Sequence, residues 1–143
     1  MTGDELDDLL PLMRGYCDFY EVEPSDRELL ELSRTLIADP DREGFQILVR
    51  DDAGRGLGFA TVYWSWSTLS ASRIAIMNDL FVVPDARGTG IAEALIEECR
   101  VRAGRRGAIS LTWQTAKGNL RAQRLYERVG GRRAEWLDYS LDT

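Results

Sequence analysis

The sequence contains no histidine among its 143 residues, and it has only two cysteines. Without histidine, neither a histidine-dependent catalytic triad nor a zinc site built from His and Cys can form. We therefore expect no metal, and any proton acceptor must be Asp, Glu, Tyr, Cys, Lys or water. Cys17 and Cys99 each fall on an apolar helical stripe without CxxC spacing, which indicates packing in a reducing compartment.

Long apolar runs are also absent, because no segment approaches the roughly 20 residues that a membrane-spanning helix needs. The segment after Met1 is acidic rather than basic, so we expect a cytoplasmic protein with no membrane partner. The length fits one domain over residues 1–143. The net charge is -6, and an acidic chain is a poor match for nucleic acid.

Apolar residues at steps of three and four predict two amphipathic helices at the front of the chain. The first lies in "DELDDLLPLMRGYCDFY" and contains Pro11. The second lies in "EPSDRELLELSRTLIADP", where Ser25 and Glu28 have capping-box spacing and Pro40 ends the helix.

A hairpin of two strands is predicted next, in "GFQILVRDDAGRGLGFATVYWSWS", because two runs of β-branched and aromatic residues flank a glycine-bearing loop. A third strand, "RIAIMNDLFVV", carries Asn78 and Asp79 in its apolar middle. Polar groups are costly there, so we expect them to be hydrogen-bonded or to lie beside a cavity.

The rest of the chain alternates between helical and strand patterns. A helix follows Gly90, a strand is expected in "AISLTWQTA", a helix in "NLRAQRLYERVGG" and a last strand in "AEWLDYSL". Two helices, three strands, helix, strand, helix and strand predict an α/β fold, with a mixed central sheet flanked by about four helices.

The turn "RGTG" between the third strand and its helix places several backbone amides at a positively polarised helix start, as a phosphate site requires. The Walker pattern is absent because no Gly-Lys-Ser/Thr follows. The dinucleotide fingerprint is absent because Glu93 stands where its third glycine should be. By itself, the turn is equally consistent with a plain tight connection.

Two motifs, one in this turn and one further along the chain, allow a more specific interpretation. "RGTGIA" resembles the Arg/Gln-x-x-Gly-x-Gly/Ala signature of the GNAT superfamily of N-acetyltransferases, and it follows an "L-F-V-x-P" strand typical of that superfamily. "WQTAKGNLRAQRLYERVG" resembles its second motif, in which Asn119, Ala122 and Tyr126 match. The order of elements is similar over nearly the whole chain.

The resemblance implies a GNAT fold whose central sheet is splayed at the third predicted strand to admit acetyl-CoA, which acts as co-substrate. It implies pyrophosphate binding by the turn and the helix start, and binding of the pantetheine arm by the third strand. The implied cofactor-binding residues are Leu80, Phe81, Val82, Arg87, Gly88, Thr89, Gly90, Ile91, Ala92, Asn119 and Ala122.

Two residues are candidates for catalysis. In the family, the tyrosine that Tyr126 matches faces the departing sulfur, where it would donate a hydrogen bond to the developing thiolate. An alkylamine acceptor with a pKa near ~10.4 must lose a proton before attack, and Asp79 is the best-placed acceptor. Because an ordinary Asp has a pKa around ~3.9, relaying the proton through a water or binding the ammonium is an equally good role for it.

The stretch "YWSWSTLSASRIAIMNDLFV" further resembles the subgroup of polyamine, thialysine and yeast-type small-amine and histone acetyltransferases. Trp64 or Trp66 beside Asp79 would form an aromatic wall for an ammonium group. The expected substrate-binding residues are Trp64, Trp66, Asn78, Asp18 and Glu21. Asn78 departs from the pattern, since polyamine-type members tend to carry a second acid there.

We therefore expect an N-acetyltransferase that moves acetyl from acetyl-CoA to a primary amine of a small cationic acceptor by direct attack. An aminoglycoside, an amino acid or a protein amine is the second class of acceptor consistent with the sequence. Two non-catalytic roles are also consistent with it: a CoA-binding regulator without activity and a purely structural interaction module. The aromatic C-terminal strand would leave an exposed edge, so we expect a homodimer.

Overall fold

The computed structural model describes residues 1–143 and contains four α-helices and four β-strands. In chain order they are α1 (Leu6–Phe19), α2 (Asp26–Ala38), β1 (Gly44–Arg50), β2 (Gly56–Ser67), β3 (Ser72–Val82), α3 (Ile91–Arg105), β4 (Leu111–Thr112) and α4 (Leu120–Arg128). The predicted capping box is present, because Ser25 Oγ accepts from the Glu28 amide at 3.2 Å while the Glu28 carboxylate accepts from the Ser25 amide at 2.7 Å.

The strands form one mixed sheet in the order β1-β2-β3-β4. β1 and β2 are an antiparallel hairpin, β3 pairs antiparallel with β2, and β4 pairs parallel with β3. The α+β fold with four helices around a mixed sheet confirms the predicted fold class.

Each face of the sheet carries its own apolar core. On one face, α1 and α2 cover β1 and β2 around Leu9, Met13 and Phe59. On the other face, α3 inserts Leu95 and Cys99 against the remaining apolar side chains of the strands. None of the four helices has the length and apolar composition that crossing a bilayer requires.

A β-bulge interrupts β3 at Asn78. Thr61 pairs with Asp79, but the next residue, Val62, pairs with Met77, so Asn78 is an extra residue with no partner on β2. Successive side chains alternate between the faces of a strand, and an extra residue reverses that alternation from there onward. The bulge therefore turns Asp79 towards α1.

The sheet opens between its last two strands. β3 pairs with β4 only through Ala75 with Leu111 and Ile76 with Thr112. From Met77 onward, the outer edge of β3 has no strand beside it, although β3 continues to Val82. This opening is the splay predicted at the third strand.

Two strand predictions need correction. The fourth strand, expected over "AISLTWQTA", is reduced to Leu111–Thr112, and the segment "AEWLDYSL" forms no strand. A strand requires a hydrogen-bonded neighbour, and the two-residue β4 offers too short an edge to supply one. The tail therefore leaves large apolar side chains in water, with Trp136, Tyr139 and Leu141 each at least 84% exposed.

Candidate active site

The turn between β3 and α3 presents a row of backbone amides without backbone partners. Gly88 and Gly90 have φ angles of 77° and 88°, in the left-handed region where glycine carries no steric penalty. The first amide of this segment that bonds to another backbone group is that of Ala94, which donates to the Gly90 carbonyl at 3.0 Å. Amides 88–93 are therefore free to bind an anion at the start of α3.

Side chains fix this turn from behind. Thr89 Oγ1 donates to the Ala86 carbonyl at 2.5 Å, and Arg87 Nε donates to the Val82 carbonyl at 3.0 Å. A Cβ built on Gly88 or Gly90 would meet no atom within 4 Å, so the space in front of the amides is open. The turn thus fits a pyrophosphate group, which needs several converging donors and unobstructed approach.

The open edge of β3 lies next to this turn. The Val83 amide donates to Leu57 of β2, and alternation of an antiparallel ladder then directs the backbone groups of Phe81 to β2 as well. Leu80 and Val82 point their amides to the open edge. The resemblance implied backbone contacts from Leu80, Phe81 and Val82, and of these three residues only Leu80 and Val82 direct their backbone amides to the open edge.

A small pocket of about 50 Å³ lies where β3 and β4 diverge. Its lining consists of Tyr16, Tyr20, Met77, Asn78, Leu80, Trp113, Gln114 and Tyr126. Tyr126, a predicted catalytic residue, and Asn78, a predicted substrate-binding residue, therefore line the same pocket. Its volume suits the end of an aminoalkyl chain rather than a whole drug-sized ligand, which needs at least ~300 Å³.

Tyr126 is positioned by the end of β4 and by its own helix. Its phenol ring packs edge-on against Trp113, with ring centroids 5.3 Å apart, and its carbonyl accepts from the Gly131 amide at 2.8 Å. Asn119 Oδ1 caps α4 by accepting from the Ala122 amide at 3.1 Å. Burial, with a smaller contribution from Tyr20, raises the pKa of Tyr126, so its phenol is protonated at neutral pH.

Asp79 belongs to a polar cluster beneath α1. Its Oδ1 accepts from Asn78 Nδ2 at 2.9 Å, and the Tyr16 hydroxyl donates to the Asn78 carbonyl at 3.2 Å. Burial and the negative charge of Asp79 raise the pKa of Tyr63 to about 12, and the same two causes raise the pKa of Tyr16. Asp79 does not line the pocket directly, but Asn78 and Tyr16 connect it to the pocket.

The structure does not place Trp64 and Trp66 beside Asp79, which corrects that expectation. Trp64 pairs with Ala75 and Trp66 with Arg73, so both face the α3 side of the sheet, while the bulge turns Asp79 to the α1 side. The guanidinium of Arg73 lies 5.0 Å from the Trp64 ring centroid, and Trp64 Nε1 donates to the Pro40 carbonyl at 2.8 Å.

The carboxylates at the end of α1 are exposed and stand outside the pocket lining. Asp18 lies in the last turn of the helix and Glu21 follows it, with a φ of 57°. Tyr20, which lies between them in the chain, lines the pocket instead, with its ring centroid 5.0 Å from that of Tyr16. The aromatic side chains of α1 that line the pocket are therefore these two tyrosines, and neither tryptophan lines it.

Five lining residues were missed from the sequence: Tyr16, Tyr20, Met77, Trp113 and Gln114. The first two stand four residues apart on the apolar stripe of α1, where the pattern indicates core residues. Tyr16 and Tyr20 could have been identified from the sequence, because tyrosine takes the place of leucine only at the end of that stripe.

The sequence profile of the acetyltransferase (GNAT) family matches residues 9–131. The chain belongs to this family. It is 38% identical over 122 residues to the uncharacterized N-acetyltransferase YhfO of Bacillus subtilis, a match that covers 85% of this chain and 80% of that protein. The D-amino-acid N-acetyltransferase HPA3 of Saccharomyces cerevisiae is 35% identical over 78 residues, or 54% of this chain and 48% of the yeast protein.

Solved structures of other acetyltransferases have the same fold. An aminoglycoside N-acetyltransferase in complex with CoA superimposes with a TM-score of 0.87 at 18% identity, covering 99% of this chain and 91% of that chain. A probable acetyltransferase gives a TM-score of 0.84 at 27% identity, covering 100% and 95%. The protein is thus an N-acetyltransferase with the GNAT fold.

Proposed function

We propose that this GNAT enzyme transfers the acetyl group of acetyl-CoA to a primary amine of a small cationic acceptor by direct attack. The observation that carries the proposal is the row of free amides over residues 88–93, which lies beside the open edge of β3 and the Tyr126 pocket. Amides 88–93 would hold the pyrophosphate, and the Leu80 and Val82 amides would hold the pantetheine arm.

Acetyl-CoA supplies an activated acyl group on a thioester. The ammonium group first loses one proton to water, and its nitrogen then forms the new bond to the carbonyl carbon while the carbon–sulfur bond breaks, without a covalent bond to the enzyme. The second proton leaves the nitrogen after attack, and CoA departs as its thiol. Cys17 and Cys99 are buried, and burial raises the pKa of both thiols, which makes them unsuitable as nucleophiles. Tyr126, protonated at neutral pH, donates a hydrogen bond to the departing sulfur.

The chemistry of the pocket supports a cationic acceptor without a carboxylate of its own. The pocket lining contains tyrosine, tryptophan, amide and apolar side chains, and neither arginine nor lysine. An amino-acid acceptor would leave its carboxylate without a counter-charge there. Asp79, next to the pocket, attracts an ammonium group, and the rings of Tyr16 and Tyr20 stabilise it by roughly 0.5 to 2 kcal/mol.

The resemblance to the polyamine-type and histone-acetylator-like subgroup supports small amines as the first acceptors to test, and the similarity to the yeast D-amino-acid N-acetyltransferase makes amino acids the contrasting class. We further propose a homodimer formed through the C-terminal segment, whose apolar side chains are exposed in the single chain.

Release of CoA thiol tests the proposal. Acetyl-CoA would be incubated with alkylamines, polyamines, lysine analogues, D-amino acids, aminoglycosides and peptide amines, and the thiol followed with a chromogenic disulfide. Release with amines that lack a carboxylate, reduced in Tyr126→Phe, supports the proposal. Tight CoA binding without release from any acceptor would contradict it and favour a regulator.

A further inference from the structure

A second concave surface lies at the opposite edge of the sheet from the Tyr126 pocket. It has a volume of about 320 Å³ and follows the outer side of β1, between the end of α2 and the end of α3. We call it the edge groove, and its lining includes Leu36, Ile37, Phe45, Gln46, Trp64 and Arg105. The edge groove and the Tyr126 pocket share no lining residue, so a ligand in the groove would bind apart from the amine acceptor.

The walls of the edge groove are apolar on the α2 side and aromatic on the α3 side. Leu36 and Ile37 come from the last turn of α2. Phe45 and Trp64 come from β1 and β2, where their ring centroids lie 5.5 Å apart and both side chains are only partly buried. Partly exposed aromatic rings stabilise a flat ring that packs against them. The groove therefore suits a ligand with an aromatic body.

The charge of the edge groove is opposite to that of the chain. The chain has a net charge of -6, yet three arginines and no acidic residue line the groove. Arg102 pairs with Glu98 at 2.6 Å and Arg106 pairs with Asp41, whereas Arg105 has no ion-pair partner within the chain. A guanidinium without a partner is a good donor to a carboxylate. The groove therefore suits an anionic ligand.

One buried side chain of the edge groove has an unmet hydrogen-bond requirement. Gln46 is only 2% exposed, and its Nε2 donates to Thr61 Oγ1 at 3.1 Å, while its Oε1 has no partner. Buried polar atoms are almost always hydrogen-bonded in folded proteins. Because Thr61 holds the Nε2 end of the amide towards β2, Oε1 is the atom that a donor from the groove would satisfy.

We propose that the edge groove is a second binding site, for a small aryl carboxylate that carries a hydroxyl or N–H donor on its ring. The carboxylate would pair with Arg105, the ring would pack on Phe45 and Trp64, and the donor would bond to Gln46 Oε1. The groove volume of about 320 Å³ lies within the range of small-molecule sites, which begins at ~300 Å³. The proposal does not rest on the acetyl-transfer chemistry.

Calorimetric titration of the full chain with para-hydroxyphenylacetate tests the site, with CoA present to occupy the cleft at β3. We expect one site per chain and a Kd of about 1 mM or tighter. Two matched probes separate the contacts. The amide, para-hydroxyphenylacetamide, lacks the negative charge, and para-methylphenylacetate lacks the donor. Each should bind at least about threefold more weakly than para-hydroxyphenylacetate.

Arg105→Glu tests the charge contact at an exposed residue whose substitution breaks no ion pair. The Kd of para-hydroxyphenylacetate should rise about five- to tenfold, because like charges then meet, while that of the uncharged amide should not rise. Arg34→Glu is the matched control, since it makes the same change at an exposed residue of α2 that does not line the groove. It should leave both Kd values unchanged.

Gln46→Met tests the donor contact, because it keeps the length of the side chain and removes its oxygen. Affinity for para-hydroxyphenylacetate should fall about threefold to tenfold, to that of para-methylphenylacetate, whose own affinity should not fall. Gln46 is buried, so circular dichroism first establishes that this variant folds. Arg105→Glu, at the surface, keeps the proposal testable if it does not.

Four outcomes would overturn the proposal. The first is no saturable binding of para-hydroxyphenylacetate at about 1 mM. The second is binding that neither Arg105→Glu nor Gln46→Met weakens, since the probe would then lie elsewhere. The third is equally tight binding of inorganic phosphate, which would reduce the site to a cluster of arginines. The fourth is affinity that falls as protein concentration rises, which would assign the groove to a second copy of the chain.

Discussion

The phenol ring of Tyr126 packs edge-on against the indole of Trp113, with ring centroids 5.3 Å apart and planes at 71°. Trp113 follows the last residue of β4, and Tyr126 lies on α4. The contact therefore holds Tyr126, the proposed hydrogen-bond donor to the departing sulfur, at the point where the sheet opens.

Tyr126→Phe removes the hydroxyl and keeps the ring contact with Trp113. We expect kcat to fall about 10- to 100-fold, because the departing sulfur loses its hydrogen-bond donor, with CoA affinity unchanged. Steady-state kinetics and calorimetric titration of CoA measure both quantities. Tyr139→Phe, in the exposed tail, removes the same atom away from the pocket and should leave kcat unchanged. Equal rates for wild type and Tyr126→Phe would remove Tyr126 from the mechanism.

Asp79→Asn replaces the carboxylate with an amide of the same shape. If Asp79 attracts the acceptor ammonium, KM for the amine should rise at least about tenfold, with kcat within about threefold of wild type. Asp18→Asn, at the exposed end of α1, is the control for loss of general negative charge. A large loss of kcat at constant KM would instead assign Asp79 to proton removal.

Gly90→Ala tests the backbone geometry at the start of α3. Gly90 has a φ of 88° and no atom within 4 Å of a built Cβ, so alanine would be strained there without clashing. We expect a stability loss of about 1 kcal/mol and weaker CoA binding. Gly54→Ala, with a φ of 85° and an equally open surrounding in the β1–β2 loop, is the matched control. It should lose similar stability and keep CoA affinity; equal affinity in both variants would argue against the amide site.

Gly44→Ala should destabilise the hairpin strongly. Gly44 has a φ of 142°, and a Cβ there would lie 2.0 Å from the Val62 carbonyl oxygen in the neighbouring strand. Backbone must move to relieve this, so we expect a loss of about 3 kcal/mol or more in the free energy of unfolding. Gly104→Ala, in α3 with no neighbour within 4 Å, should be neutral or slightly stabilising. Denaturant titrations compare the two variants, and equal midpoints would contradict the described approach of β1 and β2.

Alkaline pH should destabilise the protein. Burial raises the pKa of Tyr16, Tyr63 and Tyr126 in the folded chain, and that of Tyr63 lies at about 12. A raised folded pKa contributes stability that is complete below the unfolded tyrosine value near ~10 and is lost as pH rises towards the folded value. The unfolding midpoint should therefore fall between about pH 10 and about pH 12. Asp79→Asn should move the Tyr63 titration, followed by phenolate absorbance, to lower pH, and an unchanged titration would contradict their proximity.

Much of the fold follows from local sequence signals. The stripes of α1 and α2, the Ser25–Glu28 capping box and the glycine loop of the hairpin act within a few residues, so spacing reveals them. The free amides before α3 were predicted for the same reason. The last strand could not be predicted correctly, because its formation depends on a neighbouring edge that sequence pattern does not describe.

The candidate site was predicted only in part, for a geometric reason. In a regular strand, Ala75, Met77 and Asp79 point to the same face, and Trp64, the ladder partner of Ala75, points there too. The unpaired Asn78 interrupts this alternation and moves Asp79 to the opposite face. Nothing local in the apolar run around Asn78 marks a bulge. The sequence therefore predicted the aromatic wall from tryptophans that lie on the opposite side of the sheet from Asp79, and the pattern of α1 indicated that Tyr16 and Tyr20 are core residues.

Asn78 contributes no pairing to the sheet, but its backbone and side chain make hydrogen bonds beside the pocket. A chain without this residue could still pair Asp79 with Thr61 in an unbroken ladder, so both faces of the sheet would keep their present side chains. Such a chain would lose the carbonyl that accepts from Tyr16 and the amide that donates to Asp79. Shortening β3 by one residue at Asn78 would therefore preserve the pairing of the sheet and remove the hydrogen bonds that connect Asp79 to the proposed acceptor pocket.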